Sequence, residues 1–275
     1  MRSYEVVPAP TDLDAASGWE VAHPVGGTLL DGIRMAGFRE RHAAGQDLHV
    51  LPQPAVIVVI GLGDEPLGVD SATGRQPLNS LVAGLSPGQA RVRGRRVECV
   101  EVRLSPRAAY RVLGVSPREL DGSVTGLADL WGCQEHRLRE RLGEAGTWQE
   151  RLALTDEFLA GRAADAPSMT AEVAGVWETI VARRGRVRVD DLAAACGWSR
   201  KRLWSRFTEQ VGLSPKRAAM LVRFDHAARA LSSGHSAADV AVACGYTDQS
   251  HLHRDVFTHA GCTPGALVGS STTAA

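Results

Sequence analysis

The segment LAAACGWS beginning at Leu192 returns as VAVACGYT beginning at Val240, an offset of 48 residues. Farther along, GLSP at Gly212 returns as GCTP at Gly261, an offset of 49. Self-similarity at such a period means that one supersecondary unit occurs twice and that the copies are stacked or joined. The extra residue of the second copy falls in its turn. Leu203 and Phe207 follow Gly197 by six and ten positions, whereas Leu252 and Val256 follow Gly245 by seven and eleven. Each copy therefore reads as a helix, a glycine-bearing turn and a second helix. Asp190 and Ser236 are placed to cap the first helices, Ser199 and Asp248 the second. Ala193 and Cys196, and Ala241 and Cys244, put small residues three apart where two helices must approach closely, which is helix-turn-helix architecture. Between the copies, Ser214 and Pro215 supply a cap and a first-turn proline. Leu221, Phe224, Ala228 and Leu231 then form one apolar stripe toward Gly234, so a long helix should join the motifs.

The remainder has a different texture. With 275 residues, 44% of them hydrophobic, the chain is long enough for two domains with cores of their own. Its first hundred residues read as short strands between turns. AVIVVIGL, from Ala55 to Leu62, is apolar throughout and should be buried on both faces; VECVEVRL, from Val97 to Leu104, alternates as a half-exposed strand would. From Ser105 onward SPRAAYRVLG, GLADLWGCQEHRLRERLG and TWQERLALTDEFLAG carry helical periodicity, and Thr147 with Glu150 forms a capping-box pattern. The small, polar GRAADAPSMT between Gly161 and Thr170 suits a linker. The expected fold is α+β and multidomain. A sensor or regulatory domain occupies 1–162, β-rich over 1–105 and helical over 106–162. A linker covers 163–170, an all-α domain with two helix-turn-helix motifs covers 171–268, and a disordered tail covers 269–275.

Charge and composition exclude little globally, since 31 basic residues balance 31 acidic ones. The longest apolar run, AVIVVIGLG, falls well short of the roughly 20 residues of a membrane span, and MRSYEVVPAP lacks the apolar core of a signal peptide. A soluble cytoplasmic protein with no membrane partner is expected. Its five cysteines are scattered, without zinc-type spacing, and read as small buried thiols in a reducing compartment. His23, His42 and His49 lack the convergent spacing of a metal site, so no metal or other cofactor is expected. Trp19, Trp131 and Trp148 read as packing residues rather than pocket lining.

The stretch from about Met169 to Val268, through LAAACGWSRKRLWSRF, GLSP, RFDHAARAL and above all GYTDQSHLHRDVF with GCTP, resembles the paired helix-turn-helix domain of AraC/XylS-type bacterial transcription regulators. The N-terminal region, through LPQPAVIVVIGLGD and the helical stretch that follows, is similar to a sensor region found in some members of that family. The resemblance implies a sequence-specific regulator of transcription, activator or repressor, whose partner is a double-stranded DNA operator. It also admits RNA polymerase, a small-molecule effector and a second copy of the chain as partners, and a small cupin-like ligand module within 1–105.

With Leu252 and Val256 turned to the core, Gln249, Ser250, His253 and Arg254 fall on or near the outer surface at the N-terminal end of their helix. That end is what a recognition helix offers to base edges. Arginine can hold guanine O6 and N7, and glutamine adenine N6 and N7, through paired hydrogen bonds. The resemblance supports reading by Gln249, Ser250 and Arg254, and assigns His251 to a fixed DQSH turn, structural or phosphate-facing. In the first copy Arg200, Lys201, Trp204 and Ser205 occupy the corresponding surface. The family commonly has arginine where Ser205 stands, and Arg206 one residue later is rotated by about 100°. Arg200, Arg202 and Arg206 therefore read as phosphate contacts, which position a domain without specifying sequence. From Ser168 on, thirteen Lys and Arg face nine Asp and Glu, and both lysines of the chain, Lys201 and Lys216, lie here. Motifs joined in one chain should enter successive major grooves about 34 Å apart. The competing expectation is an enzyme fused to a DNA-binding domain, a repair alkyltransferase or a cupin-type metalloenzyme. No nucleophile-base pair or metal cluster can be assembled for it from the sequence.

Overall fold

A computed structural model describes residues 18–41, 45–63, 65–71, 74–85, 90–120 and 124–270. Ten antiparallel strands among them form two sheets. The larger has the order β1-β2-β9-β4-β7-β10, with β1 Trp19–Ala22, β2 Ile33–Glu40, β4 Val56–Gly61, β7 Ser80–Ala83, β9 Glu98–Leu104 and β10 Val124–Gly126. The smaller has the order β3-β8-β5-β6, with β3 Gln46–Val50, β5 Leu67–Ser71, β6 Gly74–Leu78 and β8 Ala90–Gly94. Side chains alternate across each strand, so the large sheet feeds two cores. One face sends Phe38, Ile57, Leu81 and Cys99 toward Leu67, Val69 and Ala90 of the small sheet. The other sends Val58, Ile60, Val100 and Val102 against the helices.

β4 is buried on both faces, as its unbroken apolar run predicts. β9 is not half-exposed as its alternation suggests. It lies between β2 and β4, and the small sheet covers its second face, leaving Cys99 and Arg103 buried. Its polar residues are accommodated by pairing. Arg103 Nε donates to Glu101 Oε1 at 2.6 Å and its Nη1 to Gln53 Oε1 at 2.6 Å. Glu98 accepts from Arg39 Nη2 at 2.8 Å and also pairs with Arg151.

Helices α1 Pro106–Val112, α2 Leu127–Trp131, α3 Cys133–Glu144 and α4 Trp148–Ala164 cover the large sheet. Ser105 caps α1 with proline at its first position, and Thr147 and Glu150 close a full capping box on α4. The Trp148 ring lies on Gly37 of β2, where a Cβ would sit 2.3 Å from the indole, so only glycine lets α4 dock there. The tryptophans pack: Trp19 stands edge-on to Phe38, Trp131 lies beside Phe158, and Trp148 is flanked by the guanidinium groups of Arg39 and Arg151. α4 extends through Ala164, so the connecting segment is 165–170, ending at Thr170, the N-cap of α5 (Ala171–Ala182).

The C-terminal region is helical throughout: α5, α6 Val189–Ala195, α7 Arg200–Val211, α8 Pro215–Ser232, α9 Ala237–Ala243, α10 Gln249–Ala260 and α11 Pro264–Ser270. Helix α11 runs past Gly269, where a disordered tail was expected to begin; residues 271–275 lie outside the described residues. Ser199, Ser214, Ser236 and Asp248 each accept a backbone N–H as N-caps. Asp190 does not cap α6. That helix begins at Val189, and Asp190 sits in its first turn, ion-paired with Arg200 at 3.1 Å. The region joins the rest through the C-terminal end of α7. Ser116 Oγ donates to Glu209 O at 2.9 Å, and Thr170 N donates to the buried Gln210 side chain at 2.9 Å. Gly212, with φ of +90°, presses so closely on the 3-10 turn Pro117–Leu120 that a Cβ would come within 2.6 Å of Pro117 O.

The helical core of the N-terminal half continues without a break into the first motif, from Leu113, Leu138 and Leu159 through Trp177 to Leu203, Phe207 and Leu221. The second motif has its own cluster around Phe224, Leu231, Tyr246, Leu252, Val256 and Leu267, against which the half-buried Leu51 packs.

Candidate nucleic-acid interface

Helices α6 and α7, and α9 and α10, are the two repeated units, and α8 joins them. In α7, Leu203, Phe207, Gln210 and Val211 are buried; in α10, Leu252, Asp255, Val256 and Ala260 are. At about 100° per residue these choices fix the outward faces. They carry Lys201, Trp204 and Ser205 on α7 and Ser250, His253 and Arg254 on α10, with Gln249 opening the helix. All of these are exposed, Trp204 by 53%. Arg202 and Arg206 are also exposed, on the side of α7 away from Trp204. Arg202 lies over the Trp198 ring at 4.7 Å, Arg206 pairs with Glu209 at 3.4 Å, and Arg200 is held by Asp190. Seven of the ten candidate residues thus lie on two exposed faces, while Arg200, Arg202 and Arg206 do not share one side of α7.

The second motif is held together by a buried carboxylate. Asp255 is buried and accepts the Tyr246 hydroxyl at 2.6 Å. Arg223 approaches it to 3.6 Å and His259 to 3.4 Å. Burial, then the hydrogen bond to Asp255, pushes the Tyr246 hydroxyl well above the usual phenol range. These contacts tie α8, the turn and α10 together, so the orientation of α10 is set by buried polar groups as well as apolar ones. His251 belongs to the turn: its Nδ1 lies 3.4 Å from Thr247 Oγ1, and its ring stands edge-on to Tyr246.

Phe257, 61% exposed, completes the outward face of α10, seven residues after Ser250. Sequence inspection of the polar residues passes it over; its signal is the i, i+3, i+4, i+7 spacing with Ser250, His253 and Arg254.

A helix-turn-helix domain family matches residues 192–269, the segment that holds both motifs. The C-terminal domain is a helix-turn-helix domain of the AraC type. An uncharacterized HTH-type transcriptional regulator of Bacillus subtilis, YbfI, is 35% identical over 66 residues. The match covers 24% of this chain and 24% of that protein, so the shared part is about a quarter of its length. Beyond the AraC-type domain the likeness is one of fold. A structure of ToxT from Vibrio cholerae superposes with a TM-score of 0.53 over 88% of this chain and all of its own, at 12% identity. ToxT with an unsaturated fatty acid bound superposes at 0.51 over 90% of this chain, at 8% identity.

Away from the AraC-type domain, a cavity of about 330 Å³ opens beside β2 and β9, lined among others by His23, Thr28, Arg34, Met35, Glu101 and Arg103. Arg34 is exposed, whereas Arg103 is buried and paired. No group of three or more metal-ligating side chains occurs among the described residues; His42 and the side chain of His49 lie outside them. The cysteines are not uniformly buried, since Cys133 is exposed. Burial pushes the Cys99 thiol far up, the direction opposite to a nucleophile's need.

Proposed function

We infer that the protein regulates transcription by binding one asymmetric duplex site through both motifs of its AraC-type domain, under the control of a small molecule held by its N-terminal domain. The observation that carries this reading is the pair of outward faces, Lys201–Trp204–Ser205 and Ser250–His253–Arg254, repeated in one chain about a single joining helix. Such a pair suits successive major grooves. Gln249, Ser250, His253 and Arg254 are the base readers, with Trp204 and Ser205 their counterparts on α7. Lys201 shares the outward face of α7 with Trp204 and Ser205, and Arg200, Arg202 and Arg206 are the phosphate contacts. Residues up to about 162 act as the regulatory domain and those from 171 as the DNA-binding domain, in the cytoplasm.

The cavity beside β2 and β9 is the effector site. ToxT has been crystallised with an unsaturated fatty acid and with a naphthalenyl butenoic acid, both carboxylic acids. Arg34 at this cavity would suit the same headgroup. The contact of the 3-10 turn with α7 supports a route from that domain to the first motif. A second copy of the chain and RNA polymerase are further partners of this reading.

Selection of duplexes from a random-sequence library by the full-length protein, at near-physiological ionic strength, tests it. The expected result is enrichment of one asymmetric site with two informative blocks one helical turn apart. Absence of any enriched sequence would sink it.

A further inference from the structure

We propose that Phe257 reads a thymine, by packing its ring on the C5-methyl group at the far end of the α10 footprint; this rests on the DNA-binding reading above. The apolar needs of α10 are met without Phe257, because Leu252, Val256 and Ala260 already fill the inner face. The ring instead stands 61% exposed on the third turn. Nor does the fold require an aromatic there, since the matched position of the first copy is Thr208.

Three features decide what covers the ring. Ser250, His253, Arg254 and Phe257 stand at i, i+3, i+4 and i+7, the spacing at which a helix lying in the major groove places four successive side chains over base edges. Among the groups that the major-groove edges expose, the thymine methyl is the apolar one, and phenylalanine is one of the side chains that meets it. The neighbours of Phe257 along α10 on this face are His253, Arg254 and Thr258, all exposed and polar, so the ring is flanked by polar side chains on its own helix. A protein-docking face would offer a contiguous apolar patch instead.

The test uses the full-length protein and a duplex recovered by selection. Each thymine is replaced in turn by deoxyuridine, which keeps the hydrogen-bonding edge and lacks only the methyl. One replacement should weaken binding by the wild-type protein about fourfold, the factor associated with one buried methyl-sized group. Phe257→Ala should bind that thymine duplex and its deoxyuridine version equally, at the weaker level. A thermal midpoint close to wild type would show that this exposed substitution leaves the fold intact. A selected duplex on which no deoxyuridine replacement matters, or on which Phe257→Ala keeps the full penalty, overturns the proposal while leaving DNA binding intact. Failure to select any duplex overturns both.

Discussion

Asp255 shows how single residues set the geometry of the second motif. Its buried carboxylate receives the Tyr246 hydroxyl and lies near Arg223 and His259. Tyr246→Phe removes one donor from a buried acceptor, so it should cost about 1–3 kcal/mol, measured by denaturant unfolding. On the outer face, Arg254→Ala should cost about 1–3 kcal/mol of binding and relax preference at one base pair. Arg200→Ala should weaken all duplexes alike. Quantitative binding to the selected site and to random DNA separates the two, and equal losses on both for Arg254→Ala would remove its reading role. At this scale the sequence was informative where a local rule operates. Serine or aspartate just before a helix, with its side chain three residues from the amide it accepts, marked Ser199, Ser214, Ser236 and Asp248 correctly. Asp190 misled because the extended Arg188 lets α6 start earlier, and an acid in the first turn is as favourable for the helix dipole as one at the cap. No such local rule marks Phe257, whose exposure is a property of the folded chain.

Between elements, the docking of α4 on β2 depends on a glycine. Gly37→Ala would place a methyl inside the Trp148 ring and should destabilise the N-terminal domain by about 1–3 kcal/mol. Unfolding of the variant followed by tryptophan fluorescence checks this. The same junction carries Glu98. Burial raises its carboxyl, but hydrogen bonds and charge from Arg39 and Arg151 outweigh burial and hold it below the ordinary value of 4.5. A folded-state value below the unfolded one gives stability that is complete above the ordinary value and is lost as pH falls through the lower one. The difference in thermal midpoint between wild type and Glu98→Gln should therefore be largest near neutral pH and shrink in acid. A difference that grows in acid would contradict it. The alternation of β9 suggested a solvent-facing side because no periodicity reports that a second sheet lies across the strand. Pairing of Arg103 with Glu101 two residues before it and with Gln53 is what allows charged residues there, and the Gln53 contact is a tertiary fact.

For the whole molecule, α8 fixes the spacing of the two motifs. Its 18 residues make a rod of about 27 Å. Insertion of about 5 base pairs, half a helical turn, between the two blocks of a selected site should thus lower affinity by roughly tenfold or more in a gel-shift titration. Unchanged affinity would mean that the motifs bind independently. The C-terminal architecture was legible because a repeat states its own boundaries, caps and joining helix. The N-terminal architecture was legible only as strands followed by helices, since which strand pairs with which depends on contacts far apart in sequence. The unbroken core from the large sheet into the first motif gives the molecule unequal halves. The first motif is cast in the same piece as the sheet that borders the cavity beside β2 and β9, while the second is mounted on it through the shared rod and Leu51. If the cavity holds the proposed effector, base pairs under α7 should respond to it more strongly than those under α10.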